Sequence, residues 1–513
     1  MPEALTNNRR IAKNTIYLYI RMLFNLVVSL YTSRVILDAL GAVDYGINNV
    51  VGGVVTMFAF LSGTMSTATQ RFLSFEMGQG NNEGLKKTFA ASNTLIILLA
   101  AIIVFFVETI GLWLLNNKLV IPDERMVAAQ WVFQFATIAL LLQILSVPYS
   151  AAIIAHEKMS AFAFIGILDV ILKLVIALLI QYAVGNVDKL IFYSAAICAV
   201  SILMRTINVI YCKRHFEECR NVKIRYEKET GSKMLSFFGW NTIGAFSWVA
   251  KEQGVNIVIN MFCGPAVNAA RGVNSQVTGA IYGFITNFQV AMNPQITKSY
   301  AAGDKTGLFN LVFRGAKFSF FLFMFLAMPI FIDIDYILSL WLVEVPEHTG
   351  NFIRLTLILM SIETVSSPII TSLLATGNVK TYQIVVGTLL LLNLPLSYVA
   401  MKFGCEPEMT MVIAIVLSSI CLFVRLYLIR SYTGFPVIKY LNMVILRSLL
   451  VAVLSAIVPL TLMQLLKIPE LPLFVIICFS SFVISGLTIF FVGTDRSERP
   501  VLIGMVKKIF HRR

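Results

Sequence analysis

The sequence predicts an all-α polytopic membrane protein, and three observations carry that expectation. Of 513 residues, 58% are hydrophobic and only 13% are charged, against roughly 45 to 50% apolar content in a soluble domain. The mean hydropathy is +0.81. Apolar runs long enough to cross a bilayer, which takes roughly 20 helical residues for a core of about 30 Å, recur from residue 14 to residue 493. No segment shows the alternating ten-residue pattern of a β-barrel strand.

Reading those runs between polar breaks predicts about fourteen transmembrane helices. They begin near residues 14, 45, 88, 126, 160, 190, 236, 269, 310, 350, 382, 409, 443 and 472. The polar start MPEALTNNRR leads straight into the first helix without the short apolar region and small-residue cleavage site of a secretory signal. Lys and Arg concentrate in alternate connections: Arg9, Arg10 and Lys13, then Lys86 and Lys87, Lys158, the block from Lys213 to Lys233, Lys298 and Lys305, Lys380, Lys439 and the end of the chain. The positive-inside rule then puts both termini in the cytoplasm. The net charge of +14 follows this topology and gives no reason to expect nucleic acid.

The longest inward connection, residues 213–235, separates an N-terminal lobe of six helices (1–212) from a C-terminal lobe of six (236–430). Two extra helices (431–493) and a basic cytoplasmic tail (494–513) follow. The tail mixes apolar and basic residues from Val501 onward, which suits either an anionic membrane surface or a solvated positive segment. Short echoes link the lobes. Asn14-Thr15-Ile16 recurs as Asn241-Thr242-Ile243, and SFEMGQGN from Ser74 recurs as SYAAGDKT from Ser299, setting Gly78 against Gly303. With six helices per unit both copies begin on the same side, so the repeats would be parallel, related by a pseudo-twofold axis along the membrane normal.

TSRVILDALGAVDYGINNVVGGVV, from Thr32 to Val55, resembles the S/T-R-x-L-G-x-x-x-Y-G signature of polysaccharide-lipid flippases, with looser spacing before the glycine. Together with QRFLSFEMGQGN from Gln70, the two lobes and the helix number, the chain resembles O-antigen and polysaccharide flippases of the multidrug/oligosaccharidyl-lipid/polysaccharide superfamily. The resemblance implies a V-shaped bundle that moves an undecaprenyl-pyrophosphate-linked oligosaccharide across the bacterial inner membrane by alternating access.

A charge at the bilayer centre costs about 2.5 to 3.5 kcal/mol on insertion scales, so intramembrane charges mark function or pairing. Arg21 lies about nine residues, roughly 13 Å, into the first helix, beyond easy snorkelling. Lys251 is comparably deep in the seventh helix. Each has two readings, a cavity-facing cation for a pyrophosphate or a structural ion pair. Arg34, Arg71 and Arg271 lie nearer helix ends and join the expected anion site, because a pyrophosphate needs several donors and Arg can bind its oxygens bidentately. Glu252 and Glu363 are candidates for binding a coupling proton or sodium ion. Helical neighbours point about 100° apart, so Glu252 need not neutralise Lys251. Asp169 and Lys173, four apart, read as a self-satisfied pair. Asp333, Asp335, Arg205, Arg425 and Arg447 read as snorkelling or interlobe charges.

The four histidines, at 156, 215, 348 and 511, fall in loops or the tail with no metal spacing, and no Walker sequence is present. The seven cysteines show no CxxC or disulfide framework. The expectation is therefore a monomeric transporter with no cofactor, no resident metal and no catalytic residues, whose partners are the lipid bilayer and its lipid-linked cargo. The alternatives are a cation-coupled multidrug exporter, which calls for a carboxylate-dominated cavity, and a polysaccharide polymerase or ligase, which calls for a large outer loop.

Overall fold

The computed structural model describes residues 2–56, 60–117, 121–182, 188–220, 228–263, 265–342, 345–466, 468–495 and 498–499. Helices fill nearly all of this length. The first half comprises α1 (Pro2–Thr56), α2 (Phe60–Gly78), α3 (Asn82–Asn117), α4 (Met126–Ala155), α5 (Met159–Tyr182) and α6 (Lys189–His215). The second comprises α7 (Lys228–Cys263), α8 (Pro265–Ala301), α9 (Lys305–Ile332), the short α10 (Ile334–Trp341), α11 (Thr349–Thr376), α12 (Val379–Lys402), α13 (Met409–Thr433), α14 (Val437–Leu465) and α15 (Glu470–Gly493).

Among the described residues ten helices are long and apolar enough to cross a membrane. The other expected spans fall on α1, α2, α7 and α8, which carry Arg21, Asn25, Arg71, Lys251, Glu252, Arg271 and Asn274 and so dilute the apolar signal. The helix expected to start near residue 45 begins just past a break inside α1. What divides α1 is Gly41, whose φ of 77° and ψ of 166° lie outside the helical region and are open to glycine at no steric cost. The glycine of the flippase-like signature is thus the break between two spans.

The chain forms two compact units. One holds the described residues up to Ala245 together with Thr297–Gly303, and the other holds Phe246–Ile296 and the described residues from Asp304 onward. In the first unit Leu73, Phe89, Tyr149, Ile153, Cys212 and Phe216 pack into a buried cluster. In the second, Val255, Ile259, Phe352, Leu359, Met411 and Ala414 form one. Phe423, Tyr427, Val453 and Phe479 remain exposed, as side chains against lipid should be. Between membrane helices such clusters hold by close packing rather than by exclusion of water.

Local turn chemistry shows the internal repeat, with one correction to its register. At the α2–α3 turn Gly80 adopts φ 67° and Asn81 accepts a hydrogen bond from the Gly84 amide at 2.9 Å. At the α8–α9 turn Gly303 adopts φ 73° and Asp304 accepts from the Gly307 amide at 2.8 Å. Each cap satisfies an amide that the helix start leaves free, an effect of about 1 kcal/mol. The structural partner of Gly303 is therefore Gly80, not Gly78, because the turn demands a left-handed glycine directly before the capping residue. A second pair of turns differs: α11 ends on Gly377 at φ 80°, whereas the α4–α5 turn puts Glu157 at φ 58°.

Candidate functional site

The second unit gathers four of the singled-out charges. Lys251 on α7 is buried, 3% exposed, and its Nζ lies 3.2 Å from Glu252 Oε1 and 4.0 Å from Glu363 Oε1 of α11. Arg271 on α8 is buried too, with one terminal nitrogen 3.5 Å from Glu252 Oε2 and the other donating to Met411 Sδ at 3.6 Å. Its guanidinium also stands 6.0 Å from the centre of the Phe352 ring. Val255, Leu359, Asn393, Thr410 and Ala414 complete the walls of this small cavity. Glu252 therefore does meet Lys251, although the two are helical neighbours: both stems are long enough to curl toward each other across the angle that separates their Cβ atoms. Arg271 does not snorkel, because Glu252 gives it a counter-charge inside the unit.

Arg21 behaves otherwise. Its guanidinium lies 4.3 Å above the Phe162 ring of α5, and Gly166, one turn on, keeps the space its stem occupies, since a Cβ there would sit 2.8 Å from Arg21 Cδ. No charged group acts on it among the described residues, and its buried Nε has no hydrogen-bond partner. Asn25, four residues on and so on the same face of α1, likewise keeps a buried Oδ1 without a partner among the described residues. Unpartnered buried polar atoms are uncommon and call for an explanation such as an unseen ligand.

The other expected residues divide. Arg71 of α2 is ringed by Phe72, Phe75 and Phe237, with its guanidinium carbon 4.5, 5.0 and 5.6 Å from the three ring centres. The Arg34 side chain lies outside the described residues, as does the basic tail from residue 500. Asp169 and Lys173 pair at 2.7 Å as their spacing predicts. Asp335 pairs with Arg354 at 2.6 Å, and Arg447 pairs with Asp495, so these are contacts within the second unit. Arg425 is buried, with an unpartnered Nε among the described residues, and does not snorkel.

Several ionic devices escaped the sequence. In the first unit Arg125 clasps Asp44, just past the Gly41 break, and Asp188, the α6 cap, at 2.8 and 2.5 Å. Burial alone would raise the Asp188 carboxyl, but Arg125 and the amides of Ile191 and Leu190 hold it below the usual carboxylate range. The buried Glu157 carboxylate meets Lys298 at 2.8 Å, and Gly78 allows the α2 end to lie against the 298–301 backbone, where a Cβ would come within 2.6 Å of the Lys298 carbonyl. In the second unit Lys317 of α9 is buried against Glu498 at 2.7 Å and Asp495 at 3.3 Å. Only alternating charge signs near these positions could have hinted at them, and the partners lie far apart in sequence.

Comparison with known proteins bears on the whole arrangement. The MatE family model matches residues 252–399. Solved structures with the same fold include an outward-facing multidrug resistance MATE family transporter of the MOP superfamily, 11% identical, covering 83% of this chain and 96% of that one at a TM-score of 0.70. A MATE protein in the bent conformation is 12% identical, covering 84% of this chain and 98% of that one at a TM-score of 0.69. A MOP superfamily transporter from Pyrococcus furiosus, described as having a binding pocket of reverse polarity that suggests a different function, is 12% identical, covering 85% of this chain and 96% of that one at a TM-score of 0.67. No curated protein sequence matches. The chain is a multi-pass membrane protein with a MATE-like fold, and the MatE match covers the stretch from the end of α7 into α12.

Proposed function

We propose that this protein is a transporter that moves an undecaprenyl-pyrophosphate-linked oligosaccharide, the repeat unit of an O-antigen or another surface polysaccharide, across a bacterial inner membrane by alternating access. Fourteen spans, in two groups of six plus two, with both termini cytoplasmic, belong to the same reading. The observation that carries it is the Arg21–Asn25 face: a deep cation and a neighbouring amide, each with a buried polar atom that no described residue satisfies. An anionic group with several oxygens, such as a pyrophosphate, supplies the acceptor that Arg21 Nε lacks, since Arg binds such oxygens bidentately, whereas Asn25 Oδ1 is an acceptor and calls for a donor such as a sugar hydroxyl of the same cargo. Arg71 and Arg34 extend the cationic set. Lys251 and Arg271 are assigned with Glu252 and Glu363 to ion coupling.

Drug export of cations is the weaker reading because it needs a carboxylate left for the cargo. Asp169 is engaged by Lys173, and Glu252 and Glu363 by Lys251 and Arg271. The test replaces Arg21 by Ala and by Lys in cells whose surface glycan depends on this gene. Arg21→Ala is expected to reduce surface glycan at least tenfold at normal protein levels, with lipid-linked repeat units held on the cytoplasmic side. Arg21→Lys, a point charge without the planar fork, retains part of the activity. Normal glycan in Arg21→Ala cells would sink the proposal.

A further inference from the structure

We infer that the charged cavity of the second unit carries its own cation, the Lys251 ammonium, in the place where a coupling metal ion would bind, so that the ion exchanged there is a proton rather than sodium. The inference deepens the coupling role proposed for Glu252 and Glu363 and rests on that role.

Geometry supports it first. The two carboxylates come from different helices, α7 and α11, and the Lys251 Nζ reaches both, at 3.2 and 4.0 Å. A sodium ion drawn to the same oxygens would have to displace the ammonium or sit beside it. Lys251 is 3% exposed, so it has nowhere to swing without leaving a charge in the apolar interior. Two cations a few ångströms apart in such surroundings repel strongly. Arg271 adds a second fixed positive charge on the far oxygen of Glu252 at 3.5 Å.

The donor set points the same way. Among the described residues no group of three or more acidic, histidine or cysteine side chains could hold a metal ion. The cavity is lined by Lys251 and Glu252 from α7 and Arg271 from α8, with the neutral Asn393 of α12 and Thr410 at the α13 start; Glu363 of α11 reaches Lys251, and Tyr282 of α8 and Cys421 and Arg425 of α13 lie near these charges without lining the cavity. Lys251 and Arg271 already balance the two carboxylates. A hard metal cation favours several oxygen ligands and net negative charge, which this balanced set does not offer.

A proton meets no such obstacle. It adds from water to a carboxylate oxygen, converting one negative group to a neutral acid, while the ammonium keeps its place. Glu363 is the acceptor, because Glu252 is held by two cations and Glu363 by one, at the longer distance. Uptake of one proton raises the net charge of the cavity by one, and release to water reverses the change.

The experiment follows thermal unfolding of the purified full-length protein in detergent, with sodium or lithium chloride replaced by choline chloride at constant ionic strength. The Tm of the wild type is expected to be the same in all three salts. Lys251→Ala, with two carboxylates and no ammonium between them, is expected to gain a sodium- or lithium-dependent upward shift of a few degrees. Lys251→Met serves if the alanine variant does not fold. Sodium-dependent stabilisation of the wild type, or absence of any metal response in the folded variant, overturns the inference. Proton coupling itself is read in proteoliposomes: an imposed pH gradient drives cargo movement, and Glu363→Gln abolishes that dependence while Glu252→Asp retains it. A sodium gradient that drives movement equally well counts against it. Because the salt response needs no cargo, it stands or falls separately from the glycan assignment.

Discussion

Arg21 and Lys251 stand on helices that share an Asn-Thr-Ile segment, yet the two units treat their cations in opposite ways. The first unit leaves Arg21 against an aromatic ring with an unsatisfied Nε, whereas the second surrounds Lys251 with carboxylates. A charge complete within the protein stabilises the fold or moves protons. A charge that is incomplete destabilises the empty protein and gains from a ligand. The same truncation should therefore have opposite consequences in the two units.

Lys251→Ala strands Glu363 and leaves Glu252 with Arg271 alone. Breaking a fully buried pair costs roughly 3–5 kcal/mol, and because Glu252 and Glu363 keep about a third of their side-chain surface exposed, about 2 kcal/mol is expected instead. Thermal unfolding in detergent measures this as a lowered Tm, and pairing Lys251→Ala with Glu363→Gln should recover at least half of the loss. Arg21→Ala removes an uncompensated cation and should leave Tm unchanged or raise it. A fall in Tm comparable to that of Lys251→Ala would show that Arg21 has a structural partner and would dissolve the contrast.

The ionic contact at the α4–α5 turn gives the next largest effect. A left-handed conformation costs a residue with a Cβ roughly 1–2 kcal/mol, and the matching turn of the second unit avoids that cost with Gly377. Glu157 tolerates it in the company of Lys298, and strain kept at a specific site is a pointer to function. Lys298→Ala should lower stability by about 1–2 kcal/mol, a loss typical of stranding a buried carboxylate. In a Glu157→Gly background the same substitution should cost almost nothing, and a full additive loss in the double variant would separate the two residues. Gly377→Ala should cost about 1 kcal/mol, while Glu157→Gly without its ion pair partner should regain about that amount.

Smaller still in stability, but sharper for function, is Gly166→Ala. The added methyl would meet the flexible Arg21 stem at 2.8 Å, and the arginine can move aside, so Tm should change by less than a degree or two. The displaced guanidinium should lower glycan transport severalfold. Unchanged transport would mean that the Phe162 contact does not hold Arg21 where the cargo meets it.

Much of this arrangement is legible in the sequence, for identifiable reasons. Apolar runs fix where helices lie because a bilayer imposes their length, and the Asp169–Lys173 pair follows from spacing along one helix. The Gly41 break, the burial of Arg271 and the pairing of Lys251 were not legible. Gly41 sits among residues compatible with a helix, and only its φ distinguishes a break from a small residue in contact with a neighbour. Glu363 lies more than a hundred residues from Lys251, so the contact depends on packing of α7 against α11. The Arg125 clasp joins three segments of the first unit that no periodicity connects. The polar residues that weakened the membrane signal of α1, α2, α7 and α8 are the ones that carry the candidate sites, so the sequence is least apolar where those sites lie.

Acid titration gives the finest comparison, between two aspartates at helix starts, the half-buried Asp188 and the buried Asp333. Asp188 of the first unit is held below the usual carboxylate range by Arg125 and two amides that outweigh its burial. Its ionised form is the favoured one in the fold, so its contribution is complete above the unfolded value near 3.9 and is lost only as pH falls through the lower folded value. Asp333 of the second unit, at the start of α10, is pushed up by burial and by the nearby Asp335 and Glu470, with only partial relief from Arg354. Here the fold favours the protonated acid. Neutral pH therefore carries a penalty that lessens as pH falls through the raised folded value. Asp333→Asn should raise Tm slightly at neutral pH, by less than about 1 kcal/mol in stability, and the gain should shrink toward zero as the wild-type acid becomes protonated. Asp188→Asn should lower Tm at neutral pH, with the difference persisting to more acidic conditions than the Asp333 effect. Unfolding curves of both variants across the acidic range decide the matter: if Asp333→Asn is destabilising at neutral pH, the Asp333 carboxylate has a cationic or hydrogen-bonding partner, and both units compensate their buried charges at the helix starts alike.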